Sequence, residues 1–412
     1  MEPATHPIPE RLMSLQALDG LPALLTRHGC GPKLMLVCDD LTWIAAGAQA
    51  DVLLADKYSV TTYSLGHPVH ADLRHSRDLM SASHGYDALI AVGAGTINDI
   101  VKYAAAKLRI PYFCVATAAS MNGYLSANAS LTADGMKHSY PAAPPRAVIA
   151  DIGMIARAPK RLARAGLGDT LCRSTVEADM MLSHFLLDTP YPRAIFDRLR
   201  RHESALIAHA SQLPKGDPVY LTQLMETLLD AGDAMTQFGS SAVASQGEHM
   251  IAHTAEAMYP APLARVMHGE LIAVTTLTMS LLQAPFLKTT PTIRELFYPP
   301  SRFLRVFGQQ SGDGLAEQYA KKLLSAEQMA DINIRIARDW QAIAEAITAI
   351  HVIPSKIERS FKLVGLPVRP NDLRLDLERY HTAVCYAHLA RDRFTFLDLE
   401  AMRREENYPR PR

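Results

Sequence analysis

The chain has 412 residues, and its 42 Lys+Arg are balanced by 42 Asp+Glu. A formal net charge of zero excludes the long-range basic field that draws proteins to nucleic acid or anionic membranes. Hydrophobic residues make up 48% and charged residues 20%, the profile of a globular chain with ample core, and the length suggests two domains.

Five cysteines, Cys30, Cys38, Cys114, Cys172 and Cys385, are odd in number, scattered, and form no CxxC. Free thiols in a reducing compartment are expected. The first ten residues lack the basic-then-apolar pattern of a signal peptide. No uncharged apolar run reaches the ~18 residues of a membrane span. A cytoplasmic setting, with no nucleic-acid partner and no membrane span, is the expectation.

In chain order, Lys33 to Cys38 is a short apolar run that predicts a strand, ending in Asp39-Asp40. Leu41 to Leu54 is alanine-rich and amphipathic. Tyr58 to Leu65 is β-branched and aromatic, and Asp72 to Ala82 predicts a helix. Asp87 to Val92 predicts a strand, Asn98 to Leu108 a helix, and Pro111 to Ala116 a strand. Ala147 to Ile152 follows a proline-rich stretch as a last strand. This β-α-β-α order implies a parallel sheet covered by helices. Beyond it helices dominate: Arg161 to Ala178, Arg193 to Leu213, Pro218 to Phe238, Ser241 to Met258, Val266 to Leu287, Leu315 to Leu324, Ala326 to Ile350 and Pro354 to Val364. The expected architecture is an α/β parallel-sheet nucleotide-binding domain, 1–155, followed by an all-helical domain, 156–412. The apolar helices of the second half serve core or subunit contact equally well, and a homo-oligomer is expected.

Two features carry chemistry. The apolar run Ala88 to Val92 stops at Gly93-Ala94-Gly95 and turns into Thr96-Ile97-Asn98-Asp99-Ile100-Val101-Lys102. Without Cβ atoms, the glycines let backbone approach a bulky anion, and a helix start offers N–H groups and a favourable dipole. Thr96 and Asp99 fit a capping pattern. The motif lacks the third glycine of the dinucleotide fingerprint, so an ordinary strand-to-helix turn stays open. The second feature lies downstream: Asp169 in Gly166-Leu167-Gly168-Asp169, His249 and His253 four apart, and His268 in His268-Gly269-Glu270. One carboxylate and two imidazoles suit a divalent metal with an open position, zinc first, nickel or ferrous iron also. Chance spacing among 16 histidines is the alternative.

The ordered motifs Gly93 to Lys102, Ala116-Thr117-Ala118-Ala119-Ser120-Met121-Asn122-Gly123, Gly166 to Asp169, Glu248-His249 with His253, His268-Gly269-Glu270, and the tail Arg391 to Leu399 resemble the iron-containing alcohol dehydrogenase and dehydroquinate synthase-like superfamily. Within it the chain is most similar to the sn-glycerol-1-phosphate dehydrogenases. The resemblance implies metal binding by Asp169, His249 and His268. It implies that Gly93, Gly95, Thr96, Asp99, Lys102, Thr117 and Ser120 line NAD(H) or NADP(H). It implies a substrate-side role for His253, as a hydrogen-bonding or proton-relay group, with a structural histidine as the alternative. The implied reaction is reversible hydride transfer between NAD(P)H and dihydroxyacetone phosphate or a related phosphorylated ketone.

Two positions depart from the family. Asn122 stands where these dehydrogenases carry an aspartate that contacts substrate hydroxyl; it can hydrogen-bond but not ionise. Arg173 replaces a lysine four residues after the metal aspartate, a planar fork instead of a point charge. Both remain candidate substrate-binding residues, and Asn122 with His253 a candidate catalytic pair. These departures motivate the alternative of a non-redox lyase or cyclase of dehydroquinate-synthase type. Lys137, Lys160, Arg173 and Arg265 are candidate phosphate cations because they flank the motifs. Asp39, with Asp40, would accept ribose hydroxyl bonds and repel a 2′-phosphate, or simply form a turn.

Overall fold

The structure, a computed structural model, describes residues 8–133, 136–296, 300–307, 316–317 and 319–403. The chain divides into two compact units: residues 1–170 with 201–241, and residues 171–200 with 242–412. The first unit therefore takes in helical chain well beyond the sheet.

Eight strands are β1 (Glu10–Ser14), β2 (Lys33–Cys38), β3 (Ser59–Ser64), β4 (Ala88–Gly93), β5 (Tyr112–Ala116), β6 (Asn128–Ala133), β7 (Met136–Pro141) and β8 (Ala147–Asp151). Helices used below are α1 (Leu73–Ala82), α2 (Gly95–Leu108), α3 (Lys160–Thr170), α4 (Arg173–Leu187), α5 (Pro218–Phe238), α6 (Gly247–Met258), α7 (His268–Phe286), α8 (Ala326–Ile350) and α9 (Phe396–Arg403).

In the first unit six parallel strands run in the order β1-β8-β5-β4-β2-β3, as the alternating pattern predicts. Every residue of β4, β5 and β8 is buried, which fits a parallel sheet covered on both faces. Leu34, Leu36, Ile90, Val92, Phe113, Val115 and Ile149 pack on one face with Leu21, Leu24, Leu25, Ala50 and Leu54. The chain leaves β2 toward β3 on one side and returns as β4 on the other. That is a topological switch point, where ligands of such sheets sit beyond the strands' carboxyl ends. The register pairs Val37 with Ala91, so Asp39 and Gly93 both lie at this point.

The second unit contains no strand among the described residues, as expected. The sequence reading misses two strand features and joins two helices into one. The edge strand β1 and the antiparallel hairpin β6–β7 escape sequence patterning. The helix expected over Arg161 to Ala178 is two helices, α3 and α4, broken at Leu171-Cys172. The helix expected near 315–324 falls partly outside the described residues. No described helix is long and apolar enough to cross a membrane.

Candidate active site

In the first unit the β4–α2 turn forms as its glycines suggest. Helix α2 starts at Gly95 with Ala94 as N-cap, and no side chain caps it. The capping pattern expected of Thr96 and Asp99 is thus not used. Asp99 instead accepts from Ser130 N at 3.1 Å, because its side chain turns to the hairpin. The first intrahelical bond is Asn98 N to Ala94 O at 2.9 Å. The amides of Gly95, Thr96 and Ile97 therefore lack intrahelical acceptors and suit an anion. The two glycines differ. A Cβ on Gly93 would lie 2.5 Å from Ile97 Cδ1, so Gly93 serves packing. A Cβ on Gly95 would meet only Met121 Cγ at 3.4 Å, ordinary contact, so Gly95 keeps the helix start open.

Lys102 is fully buried, with its pKa lowered by burial. Its ammonium donates to Gly123 O at 2.5 Å, Ser126 Oγ at 3.1 Å and Asn128 O at 3.1 Å, and lies 3.5 Å from Asp99 Oδ1. It ties α2 to the 117–128 loop. The same loop holds buried Thr117, whose amide reaches Gly93 O at 3.4 Å, and Ser120, which hydrogen-bonds Tyr124. Two helix glycines clamp it. A Cβ on Gly166 of α3 would lie 2.0 Å from Ala119 O, and one on Gly232 of α5 would lie 2.7 Å from Asn122 O. Asn122 N then donates to Asp169 Oδ2 at 3.0 Å. Asp169 is 2% exposed and sits in the last turn of α3, where the helix dipole disfavours an anion. Both features cost free energy that a bound cation would offset. Asp39 Oδ1 accepts from Thr42 N at 2.7 Å and Thr42 Oγ1 at 2.8 Å, so this oxygen serves the turn.

In the second unit His249 and His253 lie one turn apart on α6, and His268 opens α7. Their ring centroids are 6.1 Å (249–253), 5.2 Å (249–268) and 5.8 Å (253–268) apart, so all three imidazoles converge. The convergence follows from the four-residue helical spacing and from the break at Tyr259-Pro260 that lets the chain return.

Glu248 is fully buried and accepts at Oε1 from His249 Nδ1 (2.8 Å) and Gln246 N (2.8 Å), and at Oε2 from Thr175 Oγ1 (3.3 Å). With Nδ1–H on Glu248, His249 presents the Nε2 lone pair, the tautomer of a metal ligand. His253 Nδ1 lies 3.1 Å from Glu256 Oε2, which sets its ring the same way. The sequence quoted Glu248 only as part of a motif. An acid directly before a ligand histidine is the signal that would have found it. The buried Cys172 thiol also lies within 4.8 Å of donor atoms of Glu248 and His249.

Arg173 is buried on α4. Its Nη1 donates to Glu177 Oε2 and its Nη2 to Ile350 O at 3.2 Å. Glu177, fully buried, also accepts from Tyr191 OH at 2.6 Å and pairs with Arg200 at 3.2 Å. Glu177 thus answers the charge of Arg173.

A family model for iron-containing alcohol dehydrogenase matches residues 13–159. The glycerol-1-phosphate dehydrogenase [NAD(P)+] of Geobacillus thermodenitrificans is 29% identical over 399 residues, covering 95% of this chain and 91% of the relative. The enzyme of the same name from Methanosphaerula palustris is 31% identical over 263 residues, covering 64% of this chain and 72% of the relative. In fold, a probable glycerol dehydrogenase from Sinorhizobium meliloti aligns with TM-score 0.62 at 17% identity, over 96% of this chain and 97% of that one. The chain belongs to the iron-containing alcohol dehydrogenase family and is an NAD(P)-dependent dehydrogenase similar to the glycerol-1-phosphate dehydrogenases.

Proposed function

We propose that the protein reduces dihydroxyacetone phosphate, or a related phosphorylated ketone, to sn-glycerol 1-phosphate or a related polyol phosphate. The observation that carries this reading is the near-full-length similarity to glycerol-1-phosphate dehydrogenases in a chain that keeps the glycine turn and the histidine cluster. We assign Asp169, His249 and His268 as ligands of one divalent ion, zinc first. The buried carboxylate of Asp169 and the oriented imidazole of His249 are a donor set that fits such an ion. The ion supplies Lewis-acid polarisation of the substrate carbonyl, and the nicotinamide supplies the hydride.

The chain's own residues do the rest. Residues 1–155 hold the dinucleotide, and residues 156–412 supply metal and substrate groups. Free amides at Gly95 and Thr96 bind pyrophosphate oxygens, while Gly93, Thr117 and Ser120 keep the strand ends in place around them. Asp39 Oδ2 accepts a ribose hydroxyl. Asp99 and Lys102 shape the cofactor side by fixing the 117–128 loop. His253, held at Nδ1 by Glu256, passes a proton at Nε2. Asn122 hydrogen-bonds substrate hydroxyl without moving a proton. Arg173 acts on substrate through α4, since its fork is already on Glu177. None of the five cysteines forms a disulfide among the described residues, which supports a reducing, cytoplasmic setting.

The test is cofactor absorbance. Protein stripped with chelator and reloaded with zinc, nickel or ferrous iron is offered NADH or NADPH with dihydroxyacetone phosphate or dihydroxyacetone. Metal-dependent oxidation with the phosphorylated ketone alone is expected. Equal rates with both ketones, or rates indifferent to metal, contradict the proposal.

A further inference from the structure

Three parallel strands end side by side in the first unit, in the order β4, β2, β3. Each leads one polar feature to that edge of the sheet. Strand β4 runs into the open helix start at Gly95. Strand β2 runs into Asp39, which the pairing of Val37 with Ala91 sets level with Gly93. Strand β3 ends at Ser64, the partner of Cys38, and leads to His67. The proposed chemistry leaves His67 unused.

The local backbone brings His67 to Asp39. Leu65 N donates to Cys38 O at 2.8 Å, which carries the strand pairing one residue past β3. Gly66 then turns the chain with a φ of 70°, a left-handed conformation that glycine adopts at little cost. Its amide donates to Ser64 Oγ at 3.2 Å. A Cβ on Gly66 would meet nothing within 4 Å, so the conformation alone calls for glycine. Beyond this turn His67 Nδ1 lies 3.7 Å from Asp39 Oδ2.

The two oxygens of Asp39 do different work. Oδ1 is held by Thr42, and among the described residues Oδ2 accepts no hydrogen bond and faces only the His67 imidazole. The Asp39 side chain is 11% exposed and that of His67 46%, so a sheltered carboxylate sits beside an open imidazole. Exposed Asp40 accepts from Ser64 Oγ at 3.3 Å and adds a second negative charge to this edge. Two carboxylates favour a ribose hydroxyl and oppose the 2′-phosphate that distinguishes NADP(H) from NAD(H). An imidazole, which can carry a positive charge, is the group here that opposes them.

We propose that His67 is a specificity-determining residue of the cofactor site, a contact for the 2′-phosphate that lets the chain take NADP(H) despite Asp39. The strand order supports this, because β3 lies on the side of β2 away from the pyrophosphate amides of the β4–α2 turn. A 2′-phosphate on a ribose held by Asp39 falls on that side. With Nδ1 toward Asp39, Nε2 is left to donate to a phosphate oxygen, a charge-assisted bond when the ring is protonated. This assignment rests on the reading of Asp39 as the ribose acceptor.

The experiment measures calorimetric binding of NADPH and of NADH to the full-length chain and to H67A, H67R and D39N, with no ketone present. H67A should weaken NADPH about tenfold and leave NADH unchanged, and H67R, whose guanidinium also matches phosphate, should restore NADPH binding. D39N should weaken NADH and strengthen NADPH. If H67A weakens NADPH alone while D39N leaves NADH unchanged, the phosphate contact stands and only the ribose role of Asp39 fails. NADPH affinity equal in wild type and H67A, or no NADPH binding by wild type, overturns the proposal. Equal loss of both cofactors in H67A, the mark of a merely structural histidine, also overturns it.

Discussion

The glycine turn of the first unit and the histidine cluster of the second are built in opposite ways. The turn offers backbone amides, and its side chains serve mainly to keep space clear or to fix a neighbouring loop. The cluster offers side chains whose orientation depends on buried carboxylates, Glu248 for the His249 ring and Asp179 for the start of its helix. A backbone site should tolerate most changes that leave its volume open. A side-chain site should fail when a partner one shell away is altered.

The largest expected effect is on the side-chain site. H268A or D169A should abolish stoichiometric metal binding and lower activity by more than about 100-fold, beyond the range for partners that only orient a ligand. Metal analysis of dialysed protein checks this; full occupancy in either variant would count against the ligand assignment. E248Q keeps the shape but weakens the bond that fixes the His249 tautomer. Metal affinity should fall roughly 10–100-fold, read by competition with a chromophoric chelator.

The backbone site breaks differently. G93A places a Cβ 2.5 Å from Ile97 Cδ1 and should cost about 1–3 kcal/mol of stability, partly restored by I97V. G95A meets only ordinary contact, so its melting temperature should hold or rise, while NADH affinity falls about tenfold, ~1.4 kcal/mol. Equal NADH affinity in G95A and wild type would place the pyrophosphate elsewhere. K102M removes the donor to Gly123 O and Asn128 O and should cost about 3 kcal/mol in stability, measured by denaturant titration.

A separate effect concerns pH. Burial, then Glu248, raise the Asp179 carboxyl from 3.8 to about 8, although Phe396 N, Gly247 N and Gln283 donate to it. Between those values the folded state keeps a proton that the unfolded chain has lost. The contribution of this group to stability therefore falls as pH rises from about 4 to 8. D179N, which cannot ionise, should flatten that slope in denaturation curves taken across the window.

Much of this fold was legible because its punctuation is local. The predicted limits Pro218–Phe238, Ala326–Ile350 and Pro354–Val364 match those observed. Proline opens two of these helices, glycines in the left-handed region close them at Gly239 and Gly365, and Ser325 with Gln328 forms a capping box on the third. Strand β1 was not legible. Glu10-Arg11-Leu12-Met13-Ser14 is mixed in polarity, and its strand partner among the described residues is β8, more than a hundred residues away in the chain. The hairpin β6–β7 hides in polar residues, which need no apolar alternation. The break at Leu171-Cys172 carries neither glycine nor proline and comes from tertiary context. In the site, glycines and histidines stood out by type and spacing. The roles of Glu248 and Asp179 did not, because they lie in burial and in partners such as Thr175 and Phe396.

The central claim is that Asp169, His249 and His268 hold one divalent ion, and a crystal structure of zinc-loaded protein with data at the zinc edge tests it most directly. One anomalous peak about 2.0–2.2 Å from a carboxylate oxygen of Asp169 and from one nitrogen each of His249 and His268 is the predicted result. A peak bound instead to the Cys172 sulfur and Glu248, or no peak at full zinc loading, would contradict it.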